Sequence, residues 1–269
     1  RMLAQGGNGS TAIMSPTALR TYGEDIADHP VGTGPFTFVK RVRGERIELA
    51  RNPDYWGGPP HLSGVVFRPL PDVSARTAAL RSGDVDIVAV PNPDSVRNLV
   101  SEGYTLSEGR PPHVWYLSFN MRDPIMAHKE VRQAINLAID RDGMARDLLR
   151  GTVNPAYGVQ APANSAYVER TDAYARNLDK ARELLRQAGY PDGFTTTLTT
   201  SVDGSGQIIP SQMAEYLQQN LADVGIDLKV DTQEWISYLG TWAQGAQKGV
   251  GMAQMSWGMT SPYLSLIHI

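Results

Sequence analysis

The chain has no cysteine among its 269 residues. That removes disulfide staples, thiolate nucleophiles and Cys-based metal sites together. It also lacks an excess of either charge: 25 basic residues face 28 acidic ones, for a net charge of −3. A nucleic-acid or anionic-membrane surface needs clustered Lys and Arg. The nearest approach to a basic stripe, Arg141, Arg146 and Arg150, alternates with Asp140, Asp142 and Asp147 and reads as a solvated helix face, so no nucleic-acid partner is expected. No run approaches the roughly 18 apolar residues of a membrane helix, and no signal-peptide pattern is present.

Catalytic constellations are missing too. The histidines at 29, 61, 113, 128 and 268 have neither helix-face metal spacing nor a companion carboxylate motif. Ser205 lies in a loop of turn formers rather than in a Gly-x-Ser-x-Gly elbow. Gly32-Thr33-Gly34 lacks the third glycine and following helix of a dinucleotide loop, and no phosphate-cradling Gly-Lys motif occurs. Asp84 and Asp86 are spaced for solvent rather than for paired acid–base work. The expectation is a protein without enzymatic activity, metal site or cofactor.

What is present is an ordinary globular composition, 41% hydrophobic, long enough for one large domain or two lobes. Residues 13–23 predict a turn and short helix, followed by strands over 36–42, 45–50 and 64–69. Helices are predicted over Val73–Ser82, with Ala75, Ala78, Ala79 and Leu80 as its apolar set and Gly83 just past its end, and over Pro93–Val100. Strands are predicted at Asp84–Val90, Tyr104–Glu108 and Val114–Phe119. Lys129–Ile139 carries the clearest helical face: Val131, Ala134, Ile135, Ala138 and Ile139. After a loop over 151–177, the order becomes α-β-α-β-α-β: 178–188, 194–200, 211–224, 226–233, 235–247 and 250–257. Such an order implies right-handed crossovers and a sheet flanked by helices. Pro111-Pro112, between two strands, is a candidate hinge or a plain rigid loop.

Aromatics supply the remaining chemistry. Trp115, Tyr116, Trp235, Tyr238, Trp242 and Trp257 suit both cores and ligand walls, the core being the commoner place for any one of them. Trp115 and Trp257 sit on or at the end of strands that run into loops, where ligands collect in open α/β sheets.

The stretch from His29 to Gly58 is the most informative segment. It opens on a Gly-Thr-Gly-Pro turn, runs through two short strands with the alternation interrupted at Val39, and ends in Asn52-Pro53-Asp54-Tyr55-Trp56-Gly57-Gly58. Further on come Phe67-Arg68-Pro69-Leu70-Pro71-Asp72, then the run from Ala75 to Asp86, then Tyr116-Leu117-Ser118-Phe119-Asn120. The run from Val131 to Arg141, Lys180-Ala181-Arg182-Glu183-Leu184-Leu185 and Ala188-Gly189-Tyr190 complete the series. In this order, from Ile13 to Trp257, the chain resembles family 5 of the bacterial extracellular solute-binding proteins, the peptide- and nickel-type receptors of ABC importers.

The resemblance implies an α/β, two-lobed periplasmic-binding-protein type II fold, incomplete at both ends. Residues 1–112 would belong to lobe I and residues 113–269 to lobe II, with Arg110-Pro111-Pro112-His113 near the hinge. The start of the first lobe, a family-specific subdomain and the C-terminal return would be missing. The apolar tail Leu264-Ser265-Leu266-Ile267-His268-Ile269 is expected not to be native continuation. Implied partners are a small-molecule or peptide ligand and the ABC permease and ATPase subunits at the membrane, with a monomeric receptor in the periplasm or held at the cell surface as a lipoprotein. The alternative is a ligand-sensing or chaperone-like module acting through a signalling partner.

Two departures bear on the ligand. Trp257 matches the aromatic of the family's final cleft strand, but the third residue on is Thr260, where peptide-binding members carry an Asp for the peptide amine. Ser211 stands two residues before Met213-Ala214-Glu215, where dipeptide-type members place an Arg for the carboxylate. A buried amine or carboxylate without its counter-charge costs several kcal/mol, which disfavours a zwitterionic dipeptide. Nothing matches the late histidine of nickel-type members. Trp257, Thr260, Ser211, Asn120, Tyr116 and Trp235 are the candidate ligand-binding residues.

Overall fold

The computed structural model describes residues 13–109, 113–158, 160–162, 167–168, 174–204, 207–245 and 247–258. They fall into two compact units, one ending at Pro71 and the other beginning at Asp72. The expected hinge at residues 110–112 lies outside the described residues.

In the first unit, helix α1 (Pro16–Tyr22) starts because Ser15 Oγ accepts the Ala18 N–H while Pro16 occupies the first helical position. Three antiparallel strands follow in sequential order: β1 (Phe36–Val42), β2 (Arg46–Arg51) and β3 (Gly64–Phe67). The interruption at Val39 is a β-bulge: the register with β2 shifts between Phe38 and Lys40, and Val39 turns outward. Asn52 closes the hairpin on the preceding turn by donating its side chain to Gly34 O at 2.9 Å and its backbone N–H to Pro35 O at 2.9 Å. The Gly-Thr-Gly-Pro turn and the Asn-Pro-Asp turn thus serve each other.

The second unit opens with α2 (Val73–Ser82), capped by Asp72 and ended by Gly83 in the left-handed region at φ 76°. It buries Thr77 while Ala75 and Ala78 stay exposed, since alanines offer little area to bury. Helix α3 (Pro93–Ser101) is capped by Asn92. Two predicted strands are not strands: residues 84–90 and 104–108 are irregular. The Asp84 and Val85 N–H groups turn back onto Ala79 O at the end of α2, and Ile87 is exposed. No described strand lies beside either segment to complete a ladder, so the alternating pattern alone does not make a sheet.

A four-stranded sheet comprises β4 (His113–Phe119), β5 (Phe194–Ser201), β6 (Ile226–Gln233) and β7 (Met252–Gly258), in the spatial order β4-β7-β5-β6. Strand β5 runs parallel to β6 and β7, while β4 runs antiparallel to β7. One face is covered by α4 (Lys129–Ala138), α6 (Leu178–Gln187) and α7 (Pro210–Ala222). Val131, Ala134, Ile135 and Ala138 of α4, the predicted face, are fully buried there with Leu185, Leu217, Leu221, Ile226 and Leu228. Trp115, Leu117 and Phe119 of β4 pack on the same cluster, so Tyr116 points to the opposite face. That face carries α8 (Trp235–Ala243), whose Tyr238 is buried and lies within electrostatic reach of Tyr116.

Between α4 and α6, a single turn α5 (Arg141–Gly143) runs into a π-helical turn, Met144–Leu148. Arg141 fastens the loop that follows. It donates to Asn136 O and Oδ1 at 2.8 and 2.7 Å, and its guanidinium sits 5.9 Å from the centre of the Tyr157 ring. Burial, reinforced by the hydrogen bond to Asp142, pushes the Tyr157 phenol up to about 12. The folded state therefore holds this proton more tightly than the unfolded chain does. Stability from Tyr157 should be complete below its ordinary value of 10.0 and fall as pH rises towards about 12. Thermal melts between these pH values should show a loss that Tyr157→Phe reduces, the remainder coming from other buried phenols such as Tyr238. In the core, Leu217→Ala should cost about 2–5 kcal/mol in urea denaturation, because Leu217 is fully buried between α7 and the sheet.

Candidate ligand-binding site

The chain moves outward from β5 through α7 to β6, then crosses back over β5 through α8 to β7. The strand order therefore reverses at β5. In open α/β sheets a crevice forms at such a reversal, beyond the C-terminal ends of the strands. Here the ladder between the two strands ends early: β5 and β7 pair at Leu198 with Met252 and Thr199 with Ala253, and no ladder pair follows among the described residues. Tyr238 reaches in from α8 and donates its hydroxyl to the backbone oxygen of Gln254. Burial pushes the Tyr238 phenol well above its ordinary value, so it stays a protonated donor.

The walls of the parting are polar and uncharged. Thr200 and Ser201 end β5 fully buried, Gln207 follows in the loop, and Gln254 is fully buried on β7. Among the described residues, the Thr200 and Ser201 hydroxyls, both carboxamide atoms of Gln207 and the Oε1 of Gln254 have no hydrogen-bond partner. Gln254 Nε2 donates to Pro210 O at 3.2 Å, which ties β7 to the first residue of α7. By register, Thr200, Gln254 and Trp115 share the face covered by α7, and the Trp115 indole N–H is likewise buried without an acceptor. Ser201 points to the other face.

The sequence-predicted residues divide around this crevice. Ser211 is half-buried in the first turn of α7, whose N-cap, Ile209, supplies no side-chain acceptor. Trp235 opens α8, which Glu234 caps by accepting the Ile236 and Ser237 N–H groups. Its ring stacks on Tyr238 with centroids 6.1 Å apart and lies on Gly204 of the β5–α7 loop. A Cβ at Gly204 would sit 2.3 Å from the indole carbons, and φ there is +132°, so only glycine fits under this ring. Ser211 and Trp235 therefore flank the same loop. Tyr116 is half-buried on the α8 face, where burial raises its phenol.

Asn120 lies apart, beside the N-terminal end of β7. Its amide donates to Val250 O at 2.8 Å and its Oδ1 accepts the Arg122 N–H at 3.1 Å, so it clasps a loop. The backbone of Trp257 pairs with Val114. The Trp257 side chain, Thr260 and Ser205 lie outside the described residues. Sequence reasoning passed over Gln207, Gln254, Thr200 and Ser201. The available signal was uncharged polar residues in strands buried on both faces, as in Thr195-Thr196-Thr197-Leu198-Thr199-Thr200-Ser201.

Among the described residues, no group of His, Asp and Glu could hold a metal ion, and no helix is long and apolar enough to cross a membrane.

Comparison with known proteins gives this geometry a context. The glutathione-binding protein GsiB of Salmonella choleraesuis is 34% identical over 228 residues, covering 84% of this chain and 44% of GsiB. The periplasmic binding protein DppA from Helicobacter pylori, solved in complex with the peptide STSA, superposes with a TM-score of 0.81 at 31% identity, covering 91% of this chain and 48% of DppA. The binding protein AgaA from A. tumefaciens R10, solved in complex with agropinic acid, superposes with a TM-score of 0.75 at 27% identity, covering 94% and 51%. The chain thus spans about half the length of the relatives it matches. These are binding proteins and not enzymes, and the mixed α/β structure of this chain matches the periplasmic-binding-protein fold expected from the sequence motifs. With residues 10–265 matching the middle region of that family's sequence profile, the chain belongs to the bacterial extracellular solute-binding proteins, family 5.

Proposed function

We propose that this chain is part of the substrate-capture subunit of an ABC importer. The subunit takes an oligopeptide or similar small polar solute between two lobes and delivers it to a membrane permease with its ATPases. The observation that carries the reading is the gathering of buried, unpartnered, uncharged polar atoms where the β5–β7 ladder ends at the strand-order reversal, beside the loop on which Trp235 lies. Such a surface binds without transforming. Closure of the lobes would exclude water and strengthen each hydrogen bond made there. GsiB binds glutathione, and DppA and AgaA were solved with a peptide and with agropinic acid, all compact polar solutes.

In this reading, residues 1–112 and 113–269 contribute to lobes I and II, with the hinge near His113. Ser211, Trp235 and Tyr116 contribute to one wall of the cleft, continued by Trp257 and Thr260. The receptor works as a monomer, in the periplasm or anchored at the cell surface as a lipoprotein.

Calorimetric titration of the complete protein with short peptides, glutathione and opine-type sugar conjugates tests the capture step. Saturable binding with Kd around micromolar or tighter, and ligand recovered unchanged, is the expected result. No binding across the panel, or turnover of a bound ligand, would overturn it. Ligand-loaded receptor should also stimulate the ATPase of its reconstituted permease. Trp235→Ala should weaken binding about tenfold, since an aromatic wall contributes on the order of 1 kcal/mol beyond its area.

A further inference from the structure

We infer that the crevice beneath the first turn of α7 selects an uncharged hydrogen-bonding group of the solute, a carboxamide or hydroxyl, and rejects a carboxylate there. The inference rests on the solute-capture reading and adds the class of group recognised. Helix α7 is 13 residues long, its N-cap has no capping side chain, and Pro210 at the start has no N–H to offer. The first turn therefore presents uncapped N–H groups and the positive end of the helix dipole. That alone would suit an anion. The surroundings argue otherwise.

No Lys, Arg or His occurs between Arg186 and Lys229, so neither β5, nor its loop, nor α7 carries a cation to pair with a buried carboxylate. The half-buried Asp203 in the same loop adds a like charge instead. A carboxylate placed here would be desolvated without a full counter-charge, which costs several kcal/mol.

A neutral group meets the opposite situation. Gln207, 5% exposed, offers a donor and an acceptor with no partners. Gln254 offers a free Oε1 while its Nε2 holds Pro210 O, and Thr200 adds a hydroxyl on the same face of the sheet. Orphaned buried polar groups cost about 1–3 kcal/mol each. A solute group that donates and accepts at once relieves that cost, which a carboxylate (acceptor only) and an ammonium (donor only) do half as well. Sites built to hydrogen-bond a neutral group discriminate strongly against analogues that lack it.

The test uses the complete protein and a set of alanine-based tetrapeptides carrying Gln, Glu, Lys or Met at each position in turn, with cellobiose as a hydroxyl source. At one position the Gln peptide should bind at least about tenfold tighter than its Glu, Lys and Met counterparts. Gln207→Leu and Gln254→Leu should each erase that preference with little change for the Met peptide. Should a leucine variant fail to fold, Thr200→Val, which keeps the side-chain shape, should reduce the same preference. Cellobiose binding that depends on the same residues would assign the hydroxyl as the natural group. Glu or Lys equal to or better than Gln, or a Gln preference that survives the substitutions, overturns the inference while leaving solute capture standing. Absence of binding by every ligand to the unaltered protein would sink the capture reading itself.

Discussion

The end of the β5–β7 ladder after two paired residues is the constraint on which the candidate site depends. Backbone carbonyls buried inside a protein need partners, and a strand that loses its neighbour must find them elsewhere. Tyr238 supplies one by donating to Gln254 O, which fixes α8 against one face of the sheet. The Gln254 side chain in turn donates to Pro210 O of the helix, which fixes the start of α7 against the other. The two helices that frame the crevice are thus held by the strand residue whose ladder the parting breaks. Gly204 completes the frame, because only its missing side chain lets Trp235 lie down on the β5–α7 loop.

The electrostatic character follows from what that frame excludes. Among the described residues the ion pairs are surface pairs such as Arg81 with Glu102 and Arg146 with Asp147, which contribute little to stability. The crevice instead collects hydroxyls and carboxamides. That separation would suit the proposed solute capture: neutral hydrogen bonds are individually modest, whereas a desolvated ion pair is costly both to form and to break.

Much of the fold was legible because its signals are local. The face of α4, the alternation in β6 and the α-β order from Leu178 onward each follow from one period read along the chain. Even the irregularity at Val39 reported a real bulge. Residues 84–90 and 104–108 failed because a strand exists only with a neighbour, and a neighbour is not a local property. The site divides in the same way. Ser211 was singled out by the family resemblance and Trp235 by aromatic chemistry, and the two flank one loop. Gln207 and Gln254 escaped notice because a glutamine's lack of a partner is decided by packing across four elements, and no spacing in the sequence records it.

The most direct measurement is a crystal structure of the complete protein with the ligand it carries from its native host. A neutral polar group of that ligand should lie at the C-terminal ends of β5 and β7, about 2.7–3.2 Å from the carboxamide of Gln207 or Gln254. A ligand seated elsewhere, with both carboxamides still unpartnered, would contradict the account.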